Sequence, residues 1–251
     1  MKNLRLIVVG GRKVSEIYFN NKSSKECKLL IENIIDLPTS STKYNTVDIP
    51  GSNNGSLNIY NGLEDIQLSF DFVFKSRENF IISKSRIVSW LKSKISKELR
   101  YSLHKGIYYI VKKVDIGEFK TTFKLVRRFT VKFTCCPIVF LDEGKEVITF
   151  NKSITLYNGK STCNTEPQLN IFGSGDITIK INNQQLILKD IENNIIVDSF
   201  SKDCYKISNN KMIHSNNKMY SDFPILEVGE NNISYSGNVR KIELIPRWCC
   251  I

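Results

Sequence analysis

Residues 127–140 read RRFTVKFTCCPIVF, and the alternation inside that run decides how the rest of the chain divides. Phe129, Val131, Phe133 and Cys135 alternate with Thr130, Lys132 and Thr134, the period-two pattern of a strand with one face in a core and one in water. Pro137 lacks a backbone donor and biases Cys136 towards an extended conformation, so regular pairing is expected to stop or change sheet there. Upstream lies the one convincing helix pattern; downstream lie only short strands and turns. The expected organisation is two domains, 1–136 and 137–251, as befits 251 residues with 41% hydrophobic content.

Working back from this seam, Ile66, Leu68, Phe70, Phe72 and Phe74 alternate with polar Gln67, Ser69 and Asp71, a strand whose aromatic face must be covered. Ile87, Val88, Leu91, Ile95 and Leu99 recur at three- and four-residue spacing beside Trp90. They predict an amphipathic helix from Ser83 or Ser85 to about Leu99, capped by a serine. Lys84, Arg86, Lys92, Lys94 and Lys97 decorate that helix, whose narrow apolar stripe suits core packing better than a membrane surface. Tyr101–Leu103 and Ile107–Ile116 read as a hairpin turning at His104-Lys105-Gly106, and strands around Phe119–Phe133 complete an α+β unit.

Before these, Leu4–Val9 and Lys13–Phe19 read as a hairpin through Gly10-Gly11, and Ser40–Asn45 as a polar loop. In VDIPGSNNGSLNIY, residues 47–60, Pro50, Gly51 and Asn54-Gly55 force a long projecting turn between two extended pieces.

After the seam, short β segments follow at regular intervals: Glu146–Phe150, Ser153–Tyr157, Gln168–Phe172, Asp176–Ile181, Gln185–Leu188, Ile195–Phe200, Cys204–Ile207, Ile233–Ser236 and Arg240–Ile245. Turn signals at Asn158-Gly159, Gly173-Ser174-Gly175, Asn182-Asn183, Asn193-Asn194 and Asn209-Asn210 punctuate them. Helix-free strands of this length and spacing argue for a β-sandwich.

Local chemistry is thin. LIVVGGR resembles the opening of a dinucleotide-binding unit, but Gly10 and Gly11 are adjacent, no third glycine follows, and Glu16–Asn21 does not continue as a helix. Gly159-Lys160-Ser161 mimics the end of a phosphate-binding loop, yet Ile154 stands where that loop needs its first glycine. His104 and His214 lie beside no nucleophile motif, and no CxxC or HxxxH offers zinc its ligands. No catalytic, cofactor-binding or metal-binding residue is therefore assigned, no cofactor is expected, and the chain is read as not an enzyme.

The 36 Lys plus Arg against 25 Asp plus Glu give a formal +11, scattered without a run of five, which reads as solvated faces and not as a specific nucleic-acid patch. No segment approaches the roughly 20 apolar residues that cross a bilayer, so a soluble chain without membrane contact is expected. Seven cysteines include the neighbours Cys135-Cys136 and Cys249-Cys250, which suit reduced thiols in a cytoplasmically made protein better than a spaced disulfide framework.

The order of these features resembles the distal tail protein family of long-tailed bacterial viruses. The resemblance rests on the Pro50-Gly51…Gly55 loop before IQLSFDFVF at 66–74, the Arg86…Trp90-Leu91 helix and the seam strand. In the second half it rests on ITLYNGKSTCNTEPQLNIFGSGDITIKIN from Ile154, IIVDS at 195–199 and DFPILEVGENNISYSGNVRKIELIPRW from Asp222. It implies a mainly β fold, an N-terminal sandwich with one helix and a C-terminal galectin-like sandwich. It also implies a hexameric ring around a channel through which DNA passes, joining the tail tube protein to the tail-tip protein and carrying receptor-binding proteins. Such a subunit is assembled in the bacterial cytoplasm and resides in the virion. Ser52, Asn53 and Asn54 replace the Arg-Asp often found in that loop, and Arg247-Trp248-Cys249-Cys250-Ile251 replaces an arginine-rich end. The competing reading is a carbohydrate-binding module, although Tyr157, Phe172, Tyr205, Tyr220, Phe223, Tyr235 and Trp248 are expected mostly in the core.

Overall fold

The computed structural model describes residues 15–51, 55–75, 79–123 and 125–251. The expected strand at Leu4–Val9, its glycine turn and the tip at Ser52–Asn54 lie outside the described residues. The fold is mainly β with a single α-helix among the described residues, and the chain forms two compact units, Met1–Pro137 and Ile138–Ile251.

In the first unit the seam strand, Val126–Cys135, pairs antiparallel along its whole length with Ile66–Lys75. Phe72 stands opposite Phe129, Phe70 opposite Val131, Leu68 opposite Phe133 and Ile66 opposite Cys135, so both inward rows fall on one face. All eight of these side chains are buried. The ring of Phe70 meets Tyr101 at 5.2 Å and Phe133 at 5.8 Å, both edge-on, and Phe133 meets Phe19 at 5.3 Å. On its other side the seam strand pairs with Ile107–Ile116, where Lys112 is an extra residue between the partners of Thr134 and Cys135. That bulge bends the strand, which goes on to pair with Glu98–Tyr101.

The helix runs Phe80–Lys92, earlier at both ends than its apolar spacing suggests. Its cap is Asn79, not a serine: the side-chain oxygen accepts from the Ile81 N–H at 2.9 Å. Ile87, Trp90 and Leu91 are buried, but Ile95 is exposed and Leu99 sits in the Glu98–Tyr101 strand. Asn20 explains the early stop. Its side chain donates to the Trp90 carbonyl at 2.9 Å, which also accepts from the Ser93 N–H at 3.3 Å, and accepts from the Ser96 N–H at 3.1 Å, tying down the exit. Trp90 Nε1 donates to the Phe19 carbonyl at 2.8 Å, fixing the helix on the strand beneath it.

In the second unit two long strands do most of the building. Gln168–Ile181 and Gly229–Ile245 each looked like two short strands in sequence, and each is one continuous strand that passes from one layer of a sandwich into the other. Their first-layer halves pair at Gln168–Phe172 with Lys241–Ile245, next to Asn194–Asp198; their second-layer halves pair at Thr178–Ile181 with Ile233–Ser236, next to Gln184–Ile191. Gly173, read as part of a turn, sits at a bend, and it faces a second bend at Gly237. Gly237 has φ +101°, and a Cβ there would stand 2.3 Å from the Asp176 carbonyl oxygen; a Cβ on Gly173 would stand 2.4 Å from that of Asn238. Inward residues Leu169, Ile171, Ile177, Ile179, Ile181, Ile233, Ile242 and Leu244 form the core between the layers. Val139–Leu141, Lys211–His214 and Cys249–Cys250 are strands that the sequence pattern did not mark.

Arg247 belongs to this architecture. It adopts φ 55°, and its guanidinium makes a two-pronged bond to Asp198, Nη1 to Oδ1 at 2.6 Å and Nη2 to Oδ2 at 2.7 Å, while Nη2 also donates to Gln168 Oε1. Burial by itself raises the Asp198 pKa, but the Arg247 bond and charge, with the N–H groups of Ser201 and Phe200, outweigh it and hold the carboxyl below its usual value. The IIVDS and IPRW stretches thus meet in one internal ion pair.

Candidate functional site

A hairpin in the first unit is exposed along nearly its whole length. Thr42–Asp48 and Ser56–Leu63 pair antiparallel into a two-stranded sheet of their own, so the stretch expected as a polar loop at Ser40–Asn45 is strand from Thr42 onward. Gly51 and Gly55, with φ 77° and 74°, stand between the two strands, and Glu64 N–H donates to the Ser41 carbonyl at the base.

The register sorts the hairpin into two faces, because residues directly opposite share a side. Tyr44 pairs with Tyr60 and Thr46 with Asn58; the two tyrosine rings meet edge-on at 6.4 Å, and Thr46 Oγ1 donates to Asn58 Oδ1 at 2.9 Å. On the other side Val47 pairs with Leu57 and Asn45 with Ile59. Val47, Leu57 and Ile59 are 46%, 51% and 48% exposed, and Ile49, just beyond the strand, is exposed too. A two-stranded ribbon with an aliphatic face in water is marginal by itself. Removing the remaining exposed surface of those three side chains would yield roughly 1 kcal/mol apiece. These positions were passed over in sequence because Pro50, Gly51 and Gly55 dominate the stretch, yet the signal is there: Val47-Asp48-Ile49 and Leu57-Asn58-Ile59 alternate like any half-buried strand.

The candidate chemical groups are held in structural roles. His104 Nδ1 lies 2.8 Å from the Tyr109 hydroxyl and Nε2 lies 2.9 Å from the Ile35 carbonyl; burial lowers its pKa against the raising influence of that carbonyl and Asp36. His214 pairs with Asp203 on the surface, with 2.8 Å to Oδ2. Burial pushes the Cys135 thiol up to about 12, an unreactive state at neutral pH. Among the described residues no group of three or more His, Cys, Asp or Glu could hold a metal ion. The cleft between the helix and Phe74-Lys75, about 950 Å³, carries Lys22, Lys28 and Arg86 beside Glu26, and no histidine lines it. Of the seven aromatic residues expected mostly in the core, Trp248 is buried, Phe172, Tyr205, Phe223 and Tyr235 are half-buried, and Tyr157 and Tyr220 are exposed. The shortfall follows from the sandwich interior, which isoleucine and leucine already fill. No described helix is long and apolar enough to cross a membrane.

No protein-family model and no curated protein matches the sequence. Solved structures do. The crystal structure of the bacteriophage SPP1 Dit protein (gp 19.1), described as a paradigm of the hub adsorption apparatus of phages infecting Gram-positive bacteria, superposes with a TM-score of 0.63 at 13% identity. That match covers 92% of this chain and 98% of that one. The phage P2 baseplate, in its activated conformation with Ca, superposes with a TM-score of 0.52 at 11% identity, covering 92% of this chain and 97% of its own. The chain has the fold of a phage Dit protein. Within that Dit fold, the hairpin at Thr42–Leu63 is a surface whose apolar face the chain leaves exposed.

Proposed function

We propose that this chain is a structural subunit of a phage tail tip, whose copies close into a hexameric ring around a channel. The ring would join the tail tube protein to the tail-tip protein and serve as the hub on which receptor-binding proteins are mounted. It resides in the virion, assembles in the bacterial cytoplasm, uses no cofactor and catalyses no reaction. The observation that carries this reading is the end-to-end likeness to the SPP1 hub protein, 92% of this chain against 98% of that one, joined to a hairpin whose apolar face has no cover in the monomer. Cyclic symmetry offers such a face a mate in every copy, and an unsatisfied strand ribbon is a ready template for it. The first unit, which bears the hairpin, is the ring former in this reading; the second is a galectin-like sandwich facing outward.

Negative-stain electron microscopy of the purified full chain tests the proposal. Closed annular particles with a central hole are expected, and a field of single particles of monomer size at every concentration sinks it. The carbohydrate-module alternative leans on exposed Tyr157 and Tyr220, and the ring of Tyr220 already lies under Lys189 at 4.7 Å. Binding of the full chain on a glycan array, with no rings on the grid, would favour it.

A further inference from the structure

The terminal cysteines have no part in the assembly reading, and their surroundings suggest one of their own. The Cys249–Cys250 strand pairs with Val139–Leu141 on one side and is clasped on the other by the loop at 161–163. Cys249 N–H donates to Ser161 Oγ at 3.1 Å, Thr162 N–H donates to the Cys249 carbonyl at 3.2 Å, and Ile251 N–H donates to Thr162 Oγ1 at 3.0 Å. These bonds hold two backbones side by side and bring Cys163 Sγ to 3.4 Å from Cys249 Sγ. Cys250, alternating to the opposite face, turns its sulfur to the Lys160 carbonyl at 3.5 Å and stays out of the pair.

We propose that Cys163 and Cys249 are an oxidative modification site, a thiol pair that a small-molecule disulfide converts into an internal cross-link stapling the C-terminal strand to its clasping loop. Both are free thiols in the structure, Cys163 half-buried and Cys249 buried, so the first reacts with solvent species and the second resolves. The hydrogen bond from Cys249 favours the Cys163 thiolate, against burial, which disfavours it; the same bond, with burial, raises the pKa of Cys249.

The Cys163 thiolate attacks one sulfur of the oxidant, forming a mixed disulfide and expelling one small thiolate. Cys249 then gives up its proton and attacks the Cys163 sulfur, expelling the second. One protein S–S bond forms and the oxidant's S–S bond is reduced. The two thiol protons end on the two departing thiols. Bond formation closes the sulfurs from 3.4 Å to about 2.05 Å. The cross-link closes a loop spanning most of the second unit, which restricts the unfolded chain more than the folded one. In a reducing compartment the pair stays as thiols, and an oxidising medium keeps the staple closed until a reductant opens it. The inference stands apart from ring formation, since the same bond closes within one chain.

The test uses the full chain, reduced, freed of reductant and incubated with oxidised glutathione. Two of the seven thiols are expected to vanish. A non-reducing peptide map should join Cys163 to Cys249, and the melting temperature should rise by several degrees, reversibly with dithiothreitol. Cys163→Ser, checked for an unchanged circular dichroism spectrum, should show none of this. If that variant does not fold, alkylation of the wild type decides: oxidation should protect Cys163 and Cys249 together while half-buried Cys27 still reacts. All seven thiols persisting in the folded protein, a link through Cys250 or between molecules, or a stable glutathione adduct on Cys163 would each overturn the proposal.

Discussion

Two neighbouring stretches of the first unit carry the same alternation and meet opposite fates. In Ile66–Lys75 the inward residues Leu68, Phe70 and Phe72 are 0% exposed, sealed by rings from the seam strand and from Tyr101. In the Thr42–Leu63 hairpin, Val47, Leu57 and Ile59 point to one side just as regularly and remain about half exposed. Period two reports that a strand has two unlike faces. It does not report whether the cover comes from the same molecule. In one strand the chain supplies its own cover; in the other that face stays in water, and under the proposed function a second copy would cover it.

The sharpest way to break this contrast is to truncate both kinds of residue. Phe70→Ala should cost about 3–5 kcal/mol in chemical denaturation, because its ring fills a site walled by other rings that do not collapse. A loss under about 1 kcal/mol would mean that the inward face is not the packed one.

The contrast extends to the second unit, where polar groups also divide into satisfied and open. Asp198→Asn should cost about 3 kcal/mol by leaving the Arg247 guanidinium without its counter-charge. The sign with pH follows from the depressed Asp198 pKa: its contribution is present above the unfolded value, about 3.9, and is lost as pH falls through the lower folded value. Acid titration of stability should therefore show a loss in the wild type that is missing in Asp198→Asn. An identical acid profile for the two would contradict this role.

Next in size comes Gly237→Ala, at about 2 kcal/mol by thermal melting, since the added Cβ meets the Asp176 carbonyl in a left-handed backbone. No loss there would mean that the strand does not bend at this glycine. Smallest of all should be Leu57→Ser with Ile59→Ser, within about 0.5 kcal/mol per site for the dilute monomer, because neither side chain is packed in it. A collapse of monomer stability would show that the hairpin face is covered after all.

Much of the fold was legible because alternation and seam agree: the pairing of Phe129, Val131 and Phe133 with Phe72, Phe70 and Leu68 follows from two period-two runs that need one core. Sequence reasoning failed where one backbone serves two surroundings. Gly173 carries the sequence signature of a turn and the structure of a bend inside a strand, since both need a small residue. The spacing of Ile87, Leu91, Ile95 and Leu99 satisfies a helix, yet Asn20, distant in sequence, ends it after Lys92. The hairpin's apolar face was hidden behind its glycines and asparagines, and Arg247 showed no sign of its partner because Asp198 lies far away in sequence.

The most direct test is the native mass of the full chain in dilute buffer, measured beside the Val47→Ser, Leu57→Ser, Ile59→Ser variant. The wild type should form a closed species of several copies and the variant a folded monomer. A wild type that stays monomeric, or a variant that assembles equally well, would contradict the claim that this hairpin is completed by another copy of itself.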